Sequence, residues 1–355
     1  MAMEITVQKT DNPKEKPDQG NLGFGTNFTD HMFIMDYSKD KGWHDARIVP
    51  YGPMKFDPAM ATLHYGQAVF EGMKAYKSPD NRILLFRPEK NMERLNNTND
   101  RMCIPRIDEE FCLEAIKKLV NIDKEWIPTA PGTSLYIRPF IIATDKYLGL
   151  KPSSTYKFMV ILSPVGAYYP QGVNPVEIYV ENEYVRAIPG GTGHVKTSGN
   201  YAASLKAQAE ASARGYVQVL WLDGLERKYI EEVGSMNVFF KIDSELVTPA
   251  LVGSILPGVT RDSTIELVKS WGIKVTERRV SIAEIFEEHK KGRLDEAFGT
   301  GTAAVISPIG ELNWEGRSIK VNDGKTGRLA ERIYQKLTGI QTGELEDDFG
   351  WTEKI

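Results

Sequence analysis

Lys196 stands among glycines in Gly190-Gly191-Thr192-Gly193-His194-Val195-Lys196-Thr197-Ser198-Gly199-Asn200-Tyr201, just ahead of a helical segment. Glycine tolerates positive φ and lets a ligand approach the backbone, so the stretch reads as a loop that presents a side chain. A lysine presented away from bulk water can act as an amine nucleophile or a base. Two further stretches suit a phosphate. Leu256-Pro257-Gly258-Val259-Thr260-Arg261 has the form of a loop opening a helix, whose first N–H groups have no partner within the helix. Phe298-Gly299-Thr300-Gly301-Thr302-Ala303 adds amides and hydroxyls. A reactive lysine with phosphate-type loops points to pyridoxal phosphate, held by the lysine as a Schiff base while the ring serves as electron sink. The ring nitrogen then needs a carboxylate, and Glu231 and Glu232 are the candidates.

Other chemistries lack their residues. The histidines at 31, 44, 64, 194 and 289 show no metal-ligand spacing with each other or with cysteine, so no metal site is expected. No Gly-x-Ser-x-Gly elbow occurs. A dinucleotide fingerprint fails because Lys196 takes the place of its third glycine, and a P-loop fails because Val195 precedes that lysine where glycine is required. The net charge of −4 over 355 residues gives no reason to expect nucleic acid or a membrane surface as partner. Cys103 and Cys112 are the two cysteines, which suits a reducing cytoplasm, and no long uncharged apolar run suggests a membrane span.

The elements that must position the lysine fall in two halves. Residues 1–22, polar and rich in Lys, Asp and Pro, read as a flexible arm. Apolar runs at 30–36, 83–87, 134–143 and 156–164 read as strands, Pro88 opens a helix, and 108–124 has helical apolar spacing. Gly, Pro, Tyr and Asn crowd residues 166–175 and suggest a linker. Beyond it, Asn200 is placed to cap a helix over 201–214, Ser281 to Glu284 matches a capping box, and the acidic tail after Glu344 reads as loose. The expected organisation is a flexible arm at 1–22, a small domain at 23–168, a linker at 169–182 and a large cofactor-binding domain at 183–355. The class is mixed α/β (α+β).

Ordered motifs then carry a resemblance. Phe28-Thr29-Asp30-His31-Met32, Phe70-Glu71-Gly72-Met73-Lys74-Ala75, Asn91-Met92-Glu93-Arg94, Leu135-Tyr136-Ile137-Arg138-Pro139, Glu232-Val233-Gly234-Ser235-Met236-Asn237 and Gly301-Thr302-Ala303 occur alongside the lysine loop and Leu256-Pro257-Gly258-Val259. Over about residues 23–337 the chain resembles the branched-chain amino acid aminotransferases. These are pyridoxal-phosphate enzymes of fold type IV with a D-amino acid aminotransferase-like architecture. It looks most similar to the longer subgroup that includes the animal enzymes.

The resemblance implies transamination of leucine, isoleucine and valine with 2-oxoglutarate. By it, Lys196 is the Schiff-base lysine and proton shuttle, and Glu232 rather than Glu231 meets the ring nitrogen. Tyr201 would bond the ring's 3-oxygen, and Arg94, Val259, Thr260 and Thr302 the phosphate. Phe28, Tyr65, Phe70, Tyr136, Tyr168, Ser235 and Ala303 match pocket-lining positions. Arg138 would receive the γ-carboxylate of glutamate, and the amides of Thr302 and Ala303 the α-carboxylate. Leu148 and Leu150 match a loop supplied by a second subunit, which implies a homodimer. Ala304 and Ser307 stand where the animal enzymes carry a redox-sensitive Cys-x-x-Cys, so that switch is not expected. The competing readings are a D-amino acid aminotransferase or aminodeoxychorismate lyase, against which Tyr136-x-Arg138 and Gly301-Thr302-Ala303 argue, and a silent binding protein of the same fold.

Overall fold

The computed structural model describes residues 3–166 and 174–355. Tyr168, expected in the pocket, and residues 169–173 of the expected linker lie outside the described residues. The chain divides into two compact units, Met1–Tyr168 with Lys196–Ser198 and Gly339–Ile355, and Tyr169–Val195 with Gly199–Thr338. This differs from the expected plan in three places. Val176–Val180, inside the expected linker, is a strand of the second unit. The lysine segment and the last seventeen residues both belong to the first unit.

The first unit is built on one sheet. Its order is Thr6–Val7, Gly42–Pro50, His31–Ser38, Thr155–Val165, Ser134–Ala143, Met73–Lys77, Ile83–Phe86 and Thr352–Lys354, with Ala68–Phe70 also on Ser134–Ala143. Alternation along each strand sends Met73, Ala75, Leu135 and Ile137 to one face. There they pack with Met92 and Leu95 of the helix Pro88–Arg101 and Cys112, Ile116 and Leu119 of the helix Glu109–Ile122. Asp108 caps the second helix by accepting from the Phe111 amide at 3.0 Å. Leu119 is wholly buried, and shortening it to alanine costs about 2–5 kcal/mol. The same alternation puts Lys74, Tyr136 and Arg138 on the opposite face, with Lys74 directly across from Tyr136.

Both ends of the chain are more ordered than their composition suggests. In the expected flexible arm, Thr6–Val7 pairs in parallel with Gly42–Pro50, and the Gln8 amide donates to Ile48 O at 2.9 Å. In the expected loose tail, the Asp347 carboxylate accepts from the Thr352 amide at 2.6 Å, Trp351 is buried, and Thr352–Lys354 joins the sheet edge.

In the second unit the strand order is Ile230–Val233, Gln218–Leu222, Val176–Val180, Val305–Trp314, Leu294–Gly301, Met236–Ile242, Glu245–Pro249 and Lys274–Arg278. Ile230–Val233 pairs with both Gln218–Leu222 and Met236–Ile242, so the first six of these strands close into a ring around Ile178, Leu220, Val233, Val238 and Leu312. The helix that follows the lysine begins at Ser198, not after a cap at Asn200, and runs to Ala213. It buries only Ala207 and Ala211 fully, against Val219 and Trp221. Ser281 does cap Ile282–Lys290, accepting from the Glu284 amide. Among the described residues no helix is long and apolar enough to cross a membrane.

Candidate active site

The backbone of Lys196 is held on both sides. Its amide donates to Thr98 Oγ1 at 3.2 Å and its carbonyl accepts from the Phe70 amide at 3.1 Å. Thr197 continues the contact by bridging to Val69 and donating its hydroxyl to Ala68 O at 2.8 Å. The side chain carries its Nζ 4.9 Å from the centre of the Phe70 ring. The glycine loop is secured by Asn200, whose Nδ2 donates to Thr192 O and Val195 O at 2.7 and 2.8 Å. At Gly193 a Cβ would lie 2.3 Å from Ser254 O, so the loop packs too closely there for any side chain.

Arg94 is already engaged. Its Nε and Nη2 each donate to the Glu71 carboxylate at 2.8 Å, in a buried two-point pair that Asn91 Nδ2 supports at 2.8 Å. Burial alone would push the Glu71 pKa up, but the charge and hydrogen bonds of Arg94, the Lys196 charge and the Asn91 bond together bring it below its ordinary value. Glu71 had no role in the sequence expectation. It sits 23 residues from Arg94, beyond any local pattern, and it joins Arg94 and Lys196 in one electrostatic group.

Phe70, Tyr136 and Arg138 come together. The Arg138 guanidinium carbon lies 4.8 Å from the Phe70 ring centre and 5.2 Å from that of Tyr136, and Nη2 donates to Tyr136 Oη at 3.1 Å. Arg138 Nε is buried without a hydrogen-bond partner among the described residues, a donor that an added carboxylate would satisfy. Gly72 makes room for the tyrosine, since a Cβ there would fall 2.0 Å from Tyr136 Oη. Phe24 packs edge-on against Tyr136 at 5.1 Å, while Phe28 stacks on Tyr51 at 5.0 Å. Lys74, across from Tyr136 and unmarked by the sequence, is buried, which pushes its pKa down to about 8. Tyr65 stands apart from this group, with its hydroxyl bonded to Leu148 O, and Tyr65, Leu148 and Leu150 are all exposed.

In the second unit a cavity of about 240 Å³ is lined by Tyr201, Glu232, Ser235, Asn200, Arg186 and Leu256, among others. The two adjacent glutamates separate here, because neighbours on a strand face opposite ways. Glu232 meets the cavity. Its Oε1 accepts from the Leu256 amide at 2.8 Å, and Oε2 lies 3.5 Å from Arg186 Nη1. Glu231 instead accepts from Ser254 Oγ, and its pKa is pushed up by burial, with the Glu232 charge adding to the effect. No local pattern marked Arg186.

The phosphate-type loops meet at Asn237. It pairs across the sheet with Thr300 and donates to Leu256 O at 2.9 Å. At Gly258 a Cβ would sit 2.1 Å from Asn237 Oδ1, so only glycine allows this approach. Gly258 begins the helix Val259–Ser270 and no side chain caps that end. Thr300 Oγ1 is buried with no partner among the described residues. Thr302 and Ala303 form the turn to Val305–Trp314, and Val305 has φ of 61°, a strained conformation for a β-branched residue. An uncapped helix end and a buried donor hydroxyl fit a phosphate group. Leu256, on the cavity wall with Glu232 and Tyr201, leads into that helix, so the donor set fits pyridoxal phosphate.

Comparison with known proteins agrees with this chemistry. The family model for class IV amino-transferases matches residues 68–312. The chain is 62% identical over 351 residues to branched-chain-amino-acid aminotransferase 2 of Bacillus subtilis (strain 168), covering 99% of this chain and 97% of that protein. Among solved structures, the branched-chain amino acid aminotransferase of Escherichia coli superposes with a TM-score of 0.77 at 30% identity, covering 91% of this chain and 98% of that one. The T.th. branched-chain amino acid aminotransferase, complexed with N-(5'-phosphopyridoxyl)-L-glutamate, gives a TM-score of 0.74 at 27% identity, covering 90% of this chain and 97% of that one.

Proposed function

Because the chain belongs to the class IV amino-transferase family, we propose that it is a branched-chain-amino-acid transaminase. It moves the amino group between leucine, isoleucine or valine and 2-oxoglutarate, with pyridoxal phosphate as cofactor. The observation that carries this reading is the Phe70 ring, which has the Lys196 amine at 4.9 Å and the Arg138 guanidinium at 4.8 Å. An aromatic wall suits an aliphatic side chain, and an arginine whose buried Nε has no partner among the described residues suits the extra carboxylate of glutamate.

Bound in this site, the cofactor supplies an electron sink for charge released at the substrate's Cα. Lys196 anchors it, and the same amine takes up the α-proton. The carboxylate of Glu232, oriented by the Leu256 amide and Arg186, would meet the ring nitrogen, and Tyr201 would donate to the ring oxygen. The first amides of the helix at Val259 and Thr260, with Thr302, would hold the phosphate. Arg94 would reach it only through the end of the guanidinium not engaged with Glu71. Phe28, Phe70, Tyr136, Ser235 and Ala303 line the substrate space, with the amides of Thr302 and Ala303 on the α-carboxylate. Leu148 and Leu150, 61% and 84% exposed, are apolar surface that a second copy of the chain would cover, so the working form is a homodimer, with Tyr65 on the same exposed loop contact. The two free thiols suit a cytoplasmic enzyme.

A panel of amino donors with 2-oxoglutarate as acceptor tests the reading. Transfer from L-leucine, L-isoleucine and L-valine far above that from D-alanine is expected; preference for D-alanine would overturn it.

A further inference from the structure

The N-terminal arm is tied to one short segment of the first unit. The Thr10 amide donates to His31 Nε2 at 3.0 Å, and His31 Nδ1 meets Asp123 Oδ1 at 2.6 Å. The Lys14 amide donates to Asp30 Oδ1 at 2.8 Å, while Asp30 Oδ2 accepts from Trp126 Nε1 at 2.8 Å. Lys14 Nζ donates to the carbonyls of Phe28 and Thr29 at 3.2 and 2.8 Å, and lies 4.4 Å from the centre of the Tyr51 ring, on which Phe28 stacks. The segment so gripped runs back to Phe24, whose ring packs on Tyr136 at 5.1 Å. One lysine therefore fixes the backbone of Phe28, and its aromatic neighbour, at one end of a stretch whose other end touches the partner of Arg138.

We propose that the arm is a strap and that Lys14 is a positioning residue for the aromatic wall of the substrate site, holding Phe24 to Phe28 in place without touching substrate. This rests on the transaminase reading above. Two carbonyls on one ammonium are charge-assisted bonds that a neutral side chain cannot replace, and the cation–π contact requires the same charge. Losing Lys14 removes bonds to this segment and the contact with Tyr51, in a part-exposed place outside the hydrophobic core.

The test compares wild type, Lys14→Met and Lys14→Arg in the full-length holoenzyme, reading KM and kcat for L-leucine and hydrogen exchange at the Thr29 amide, which donates to Leu162 O. Lys14→Met is expected to raise KM about fivefold, the scale of one lost charged hydrogen-bond group at a partly exposed site, with kcat little changed. It should also speed Thr29 exchange, and Lys14→Arg should restore both. An active wild type with KM unchanged in Lys14→Met, or with kcat and thermal stability falling together at constant KM, would overturn the proposal. A wild type that transfers nothing from leucine defeats the transaminase reading instead, and the exchange rates still decide whether the strap exists.

Discussion

Phe70 and Lys196 are joined twice, by a hydrogen bond from the Phe70 amide to the Lys196 carbonyl at 3.1 Å and by the Lys196 Nζ lying 4.9 Å from the Phe70 ring centre. The first tie, with the bond from the Lys196 amide to Thr98, belongs to the backbone and does not need the side chain. Lys196→Ala should therefore keep the loop and lose only the amine. Turnover is expected to vanish while stability changes by about 1 kcal/mol or less. Retained turnover would remove Lys196 from the chemistry.

The Glu71–Arg94 pair contributes to acid stability. Glu71→Gln strands a buried guanidinium and is expected to lower unfolding free energy at neutral pH by about 3–5 kcal/mol. The folded pKa of Glu71 lies below its ordinary 4.5, so the folded state binds fewer protons than the unfolded state across that window. The pair's contribution is thus full above that value and drains as pH falls through the depressed one. Urea unfolding at neutral and acid pH should show wild type and Glu71→Gln converging on acidification; a gap that widens would reverse the sign.

Gly72 sets where Tyr136 can be. Gly72→Ala drives a methyl into Tyr136 Oη, which must swing away and take its bond to Arg138 with it. The variant should fold with a loss of about 1–3 kcal/mol, the usual cost of overpacking. Its KM for 2-oxoglutarate should rise about tenfold, equivalent to about 1.4 kcal/mol, and more than its KM for leucine. Equal changes for both substrates would separate Tyr136 and Arg138 from carboxylate recognition.

The adjacent glutamates give an internal control. Glu232→Gln should lower kcat on the order of a hundredfold, the scale of one lost electrostatic contact in a closed site. Glu231→Gln, on the opposite face beside Ser254, should leave activity close to wild type. It should not destabilise at neutral pH, because a carboxyl whose pKa is raised by burial is penalised when ionised. Reversed phenotypes would exchange their roles.

Local chemistry explains what could be read from the chain. Glycine around Lys196, the Ser281 cap and the helical apolar spacing over 108–124 are short-range signals, and each has its structural counterpart. The misread parts depend on distant partners. The arm is polar because its bonds run to His31, Asp30 and the carbonyls of Phe28 and Thr29, so composition alone resembles disorder. Arg94 meets Glu71 across 23 residues, and Arg186 reaches Glu232 across 46; neither spacing leaves a periodic trace. Strand alternation guarantees that Glu231 and Glu232 face opposite sides but does not say which side holds the cavity. Asn200 has the residue type of a cap, yet in the structure it staples the lysine loop from inside the first turn.

Everything proposed for the site depends on the Lys196 amine bonding the cofactor. Borohydride reduction of the purified, cofactor-loaded protein followed by peptide mass mapping addresses it directly, with Lys196→Ala as the control. A phosphopyridoxyl group is expected on the peptide containing Lys196 and none in the control. A label on Lys74 or any other lysine, or no label on a protein that carries the cofactor, would contradict it.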